Sequence, residues 1–190
     1  MKFQIETERM QLRVLDERAA QQVLTFYLEN KKEFEAWELE RHPNFYHLEY
    51  QKKMLHAEFG EIARGHMLRY YACLKESTDC VVGTVSIGNI SRMGFERGDL
   101  GYKIHHAYWR KGYGEEMVRA VLNSWFGENK MHRLEAMVHP ENKPSQLILE
   151  KIGFQQEGLA RQVVKLQGNW CDMYRYGCLK NDIIPQGMHK

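Results

Sequence analysis

Arg110, Lys111, Gly112, Tyr113 and Gly114 stand together in the stretch AYWRKGYGEE, residues 107 to 116, just ahead of a run with helical periodicity. The first turn of a helix carries about four N–H groups with no internal partner and about half a positive charge. Glycines at such a start leave the backbone open to an approaching anion. Arg110 and Lys111 add positive charge at the entrance. Glu115 and Glu116 suit the helix dipole but would repel a phosphate, so both are expected to turn away. The chemistry this spacing suits is the seating of a phosphate ester, although an ordinary glycine turn explains the two glycines equally well. No G-K-[ST] follows, so this is not a Walker loop, and the third glycine of a dinucleotide fingerprint is missing. Further on, HPENKPSQLILEKIGF sets Asn142 and Ser145 at the opening of another helix, where a serine also serves as a cap.

Other chemistries find less support. Cys73, Cys80, Cys171 and Cys178 form no C-x-x-C pair and read as free thiols of a reducing cytoplasm. His105 and His106 are adjacent and His132 and His139 flank one strand, so no H-x-x-x-H helix face appears and no metal is expected. A net charge of +2 is too small to favour nucleic acid as the main partner. No apolar run approaches the ~20 residues of a membrane span. The opening MKFQIETERMQLR lacks the apolar core of a secretion signal, and a cytoplasmic location is expected.

These residues need elements to hold them. FQIETERMQLRVL alternates as one strand, and Asp16 then caps a helix with Val23, Leu24, Tyr27 and Leu28 as its apolar stripe. LEYQKKMLHAEFGEIARG is a second helix closed by Gly65. RYYACLKES and CVVGTVSIGNIS are strands joined by a turn at STD, and RGDLGYKIHHAYW is a third. GYGEEMVRAVLNSWFGEN is a helix burying Met117, Val118, Val121, Leu122 and Trp125. MHRLEAMVHP is a strand, KPSQLILEKIGF a helix stopped at Gly153, and RQVVKLQGNWCDMYRYGCL a hairpin turning at QGN. The order predicts one mixed α+β domain over residues 1–182, with 183–190 trailing as a tail.

In that order the motifs resemble the GNAT superfamily of acyl-CoA-dependent N-acyltransferases, and within it the RimJ/RimL-type ribosomal-protein acetyltransferases. The resemblance rests on TERMQLR, YLENKKEFEAWE, LGYKI, KGYGEE, HRLEAMVHPENKPS and QEGLAR…QGNWCDMYRYG, and reaches to about residue 180. It implies a central, mostly antiparallel sheet flanked by helices, with one splayed parallel pair, here residues 99–105 and 132–139. It implies acetyl-CoA as donor, its diphosphate on the amides of Arg110, Lys111, Gly112, Tyr113, Gly114 and Glu115. The backbone of Ile104 would meet the acetyl or pantetheine part, and Asn142 and Ser145 would contact the pantetheine arm. Two positions depart from the wider pattern: Trp109 replaces Gln or Arg, and Leu149 replaces the tyrosine that protonates the leaving thiolate. Ser145 is then the implied proton donor. Asp99, just before the L-G-Y step, is the implied base, though a turn residue after Gly98 is an equal reading. His105 and His106 are possible relays.

The acceptor implied is the N-terminal α-amine of a protein, with a ribosomal protein favoured. Such an amine is roughly 10–20% neutral at pH 7 against about 0.04% for a lysine, so a weak base suffices. Trp37 and Trp170 would line its cleft, and Glu33, Glu35 and Glu38 would give that rim an acidic cast attracting a cationic terminus. A small amine (polyamine, aminoglycoside or amino acid) is a second acceptor class, and a silent acyl-CoA-binding or partner-binding module a third reading. Either a monomer or a homodimer fits.

Overall fold

The computed structural model describes residues 2–185. One eight-stranded sheet runs β1 (Gln4–Glu6), β2 (Met10–Arg13), β3 (Leu68–Leu74), β4 (Ser77–Ser91), β5 (Arg97–Ile104), β6 (Arg133–Val138), β8 (Asn169–Leu179), β7 (Gln155–Leu166) across its width. All neighbours are antiparallel except β5 and β6. Helices α1 (Ala20–Glu29), α2 (Lys31–Glu35) and α3 (Leu48–Ala63) cover one face; α4 (Tyr113–Asn123) and α5 (Lys143–Ile152) cover the other.

Alternation along β3 shows why the sheet needs both layers. Tyr70, Ala72 and Leu74 enter the core beneath α4 and α5, while Tyr71 and Cys73 enter the core beneath α1 and α3. Met117, Val118, Val121 and Leu122 recur at helical spacing on α4, all fully buried, and the chain continues in a π-helical turn, Ser124–Glu128, that inserts Trp125. Each such side chain contributes roughly 1.5–3 kcal/mol on burial, so this stripe fixes α4 against the sheet. Gly98 is required beneath it: a Cβ there would come within 2.5 Å of Ile87 and 2.9 Å of Trp125.

Four expectations change. The opening segment is two strands, because Thr7 folds back on Met10 and turns the chain between them. Ser77, Thr78 and Asp79 are not a turn but the start of β4; the reversal is Lys75–Glu76, and register shifts at Ala72–Leu74 absorb the extra residues. Leu28 lies outside the buried stripe, half-exposed, where Phe26 takes its place. The chain does not leave the fold at residue 183. Ile184 donates to the Ile152 carbonyl at 2.9 Å, and its own carbonyl accepts from Arg119 at 2.5 Å. Residues 186–190 of the expected tail lie outside the described residues.

Candidate active site

β5 and β6 pair through only three rungs, Arg97↔Arg133, Gly98↔Leu134 and Asp99↔Glu135, and then part. Each is held by its other neighbour: β5 stays on β4 as far as Ile104↔Gly83, and β6 stays on β8 as far as Val138↔Tyr174. The parting leaves two strand edges facing a cleft, and backbone groups on such edges call for partners. The His105 N–H donates to Val82 on the β4 side at 2.9 Å, so by alternation the groups of Ile104 point into the cleft. The Ile104 carbonyl is already engaged by the Trp109 indole N–H at 2.8 Å, which leaves its N–H as the open group.

At the wide end of the cleft lies the glycine loop. Arg110 (φ +60°) and Gly112 (φ +81°) are both left-handed, a backbone form that turns successive N–H groups to one side as an anion nest. Gly112 is also the N-cap of α4 and brings no side chain to cap it. Gly114 serves packing instead: a Cβ there would press Ile148 at 3.2 Å and Ile104 at 3.5 Å. Both glutamates are held by cations. Glu115 pairs with Arg119 (2.9 Å) and Lys151 (2.7 Å), and Glu116 with Arg9 (2.6 Å).

The start of the loop is pinned from α1. Asn30, fully buried, accepts from the backbone N–H of His106 at 2.7 Å and lies 2.9 Å from its Nδ1, while Glu29 pairs with His105 at 3.0 Å. These contacts make the two histidines anchors of this segment.

Across the cleft, the cap of α5 is Asn142 and not Ser145: the Ser145 N–H donates to Asn142 Oδ1 at 3.2 Å. The Ser145 hydroxyl is thereby free for another bond, and it lies 2.9 Å from the Tyr102 hydroxyl. Burial pushes the Tyr102 phenol up to about 12. Leu149 is fully buried in the core. Asp99 is not brought to Ser145: three residues from Tyr102, it faces the opposite side of the sheet, and Asn89 donates to it at 2.8 Å.

On that opposite side Lys103 Nζ lies 2.9 Å from Glu38, which also pairs with Arg41. Burial pushes the Lys103 ammonium down to about 8. The rim is therefore less acidic than expected: Glu38 is balanced by two cations, and Glu35 accepts from Tyr46 at 2.8 Å. Trp37 packs on His139 (centroids 5.4 Å apart), bringing the segment after α2 to the end of β6. Gln167, at the tip of the β7–β8 hairpin, donates to the Glu35 carbonyl at 3.0 Å. A groove of about 590 Å³ runs from the segment after α2 to the hairpin tip, lined by Glu35, Glu38, Arg41, Tyr46 and Gln167. Trp170 stands 61% exposed on the hairpin and, among the described residues, makes no aromatic contact with Trp37.

Sequence reasoning passed over Arg9, Asn30, Tyr102 and Lys103. All four lie inside the motifs TERMQLR, YLENKKEFEAWE and LGYKI, but their partners are distant in the chain. Among the described residues no group of three or more His, Cys, Asp or Glu is placed to hold a metal, and no helix is long and apolar enough to cross a membrane.

Residues 9–155 match the family described as "Acetyltransferase (GNAT) domain". The chain is 35% identical over 161 residues to "Probable N-acetyltransferase YjcK" of Bacillus subtilis (strain 168), covering 85% of this chain and 88% of that protein. Its fold is similar to the solved ribosomal-protein-S5-alanine acetyltransferase of Vibrio fischeri, with a TM-score of 0.89 at 26% identity over 97% of this chain and 100% of the other. It is also similar to RimJ of Mycobacterium smegmatis in complex with CoA-disulfide, with a TM-score of 0.85 at 25% identity over 93% and 84% of the two chains.

Proposed function

Because the chain belongs to the GNAT acetyltransferase family and is an N-acetyltransferase using acetyl-CoA, we propose that it acetylates the N-terminal α-amine of a protein, a ribosomal protein being the favoured class. The observation that carries the donor half of this reading is the cleft between β5 and β6, open along two strand edges and ending at the uncapped left-handed loop of residues 110–112. A diphosphate suits the amides from Arg110 to Glu115, and Gly112 presents no Cβ against it. The residues present therefore fit the donor, which supplies an activated acetyl thioester.

The remaining chemistry falls to this chain's side chains. The amine lone pair forms the new N–C bond as the C–S bond breaks; the nitrogen must lose a proton and the departing sulfur must gain one. The open Ile104 N–H is suited to polarise the thioester carbonyl. Ser145 gives its proton to the sulfur, and Tyr102, 2.9 Å away, holds and replenishes that hydroxyl. Asn142 orients Ser145 through the cap and offers its amide N–H₂ to the pantetheine arm. Since an α-amine near neutrality needs little help, Asp99 on the Lys103 face accepts the amine proton through water. The acceptor enters by the groove beside Trp37, with Trp170 on its hairpin wall. The name of the Vibrio fischeri protein supports the choice of acceptor class, and the CoA-disulfide bound to the Mycobacterium smegmatis protein supports the donor.

Thiol release from acetyl-CoA across an amine panel tests the reading. Turnover confined to peptides with a free α-amine is the expected result. Preference for spermidine or an aminoglycoside replaces the acceptor, and tight CoA uptake with no thiol released from any amine removes the catalytic assignment.

A further inference from the structure

The TERMQLR motif has no part in the chemistry above, yet its arginine reaches the site. Arg9 lies on the turn between β1 and β2, held there by Thr7 and by the Lys75 N–H, which donates to its carbonyl at 3.1 Å. It meets α4 across 107 residues of chain. Its backbone N–H donates to Glu116 Oε1 at 2.9 Å, and its Nε and Nη2 lie 2.7 Å and 2.6 Å from Oε2. The other arm of the guanidinium, Nη1, donates to the Lys111 carbonyl at 2.8 Å. The same group sits 4.2 Å from the Tyr113 ring centroid, and a Cβ on Gly112 would come within 3.3 Å of Nη2.

Two requirements of an anion seat meet in these contacts. Lys111 separates the two left-handed residues, so holding its carbonyl fixes the loop in the form that turns the N–H groups outward. Glu116 is in the first turn of α4, where an unpaired carboxylate would oppose an incoming diphosphate. Its side chain is only 13% exposed, so water alone screens it poorly. Burial works against its charge, but hydrogen bonds from Thr7 and Arg9 outweigh that and hold the carboxyl below its usual range.

We propose that Arg9 is a positioning residue of the donor site, cancelling the charge of Glu116 and bracing the Lys111 carbonyl so that the loop can accept the diphosphate of acetyl-CoA. This rests on the reading of residues 110–115 as the diphosphate seat.

The test compares acetyl-CoA with S-acetylpantetheine, which lacks the diphosphate. Arg9→Ala is expected to raise KM and Kd for acetyl-CoA by about 10- to 100-fold, the range of lost charge-assisted hydrogen bonds. Its kcat, and its kcat/KM for S-acetylpantetheine, stay near the parent's. Glu116→Gln breaks the same ion pair but leaves the Arg9 charge, so acetyl-CoA affinity holds or rises, and Arg9→Ala with Glu116→Gln recovers part of the loss. A brace of purely structural kind weakens both single variants alike and affects both donors; that result overturns the proposal. Should Arg9→Ala not fold, Arg9→Gln serves: it removes both the charge and the fork while keeping most of the side chain, and an unchanged acetyl-CoA Kd overturns the proposal equally. A parent protein that takes up no CoA defeats the seat itself, while normal uptake with an indifferent Arg9 defeats only this inference.

Discussion

The two mouths of the cleft are built from different materials. The side proposed for the donor is made of backbone: a left-handed loop, an uncapped helix start and two unpaired strand edges, with small residues at Gly112 and Gly114. The side proposed for the acceptor is made of long side chains drawn from separated segments: Glu38 with Lys103 and Arg41, Trp37 on His139, and Gln167 on the Glu35 carbonyl. A diphosphate carrier is the same molecule in every turnover and suits fixed amides. An acceptor differs from one enzyme to another, and side-chain pairs can change without disturbing the sheet.

Four experiments break or sharpen that contrast. The largest effect belongs to the hydroxyl pair joining the sides. Ser145→Ala is expected to lower kcat about 100-fold with little change in CoA affinity, and Tyr102→Phe about tenfold, both read by steady-state thiol release. Equal losses in kcat and in CoA binding would recast Ser145 as part of the cofactor seat. Next comes Gly112→Val, which forces a branched side chain into the left-handed region at about 1–2 kcal/mol. Its acetyl-CoA Kd by calorimetry should rise about five- to thirtyfold while S-acetylpantetheine is used as before.

On the acceptor side the effects shrink. Trp37→Ala should raise KM for an α-amino peptide a fewfold and leave acetyl-CoA affinity untouched; a matching loss for both substrates would erase the division. The smallest effect is on stability. Lys103 releases its proton at about 8 in the folded chain against an ordinary 10.5, so between those values the unfolded chain holds the extra proton. Stability at this site therefore rises with pH through that window and is flat below it. Lys103→Met should reduce the rise, seen as urea midpoints measured on either side of the window.

The same division decides what the chain spells out along its length. The α4 stripe, the left-handed loop and the opening of α5 are local devices, written in neighbouring residues, and they stand where their spacing puts them. The parting strands follow the resemblance to within two residues at each end. What escaped notice is tertiary. Arg9 and Glu116, Asn30 and His106, and Glu38 and Lys103 are partners with no common pattern. The cap of α5 fell to Asn142 because its oxygen reaches the Ser145 N–H, a choice the residue types alone leave open. Ser77–Asp79 look like a turn by composition, yet a bulge against β3 lets them extend β4.

A sheet that opens after three rungs is, in its hydrogen bonding, two wings joined by a short seam and by the shared core beneath α4 and α5. One wing carries β1 through β5 and the other β6, β8 and β7, and beyond the third rung no ladder joins them. A long, flexible molecule laid in that gap would act as the missing strand, stitching the wings together. Amide exchange should then slow on both banks at once when the donor arrives, far from the loop proposed to hold its charged end.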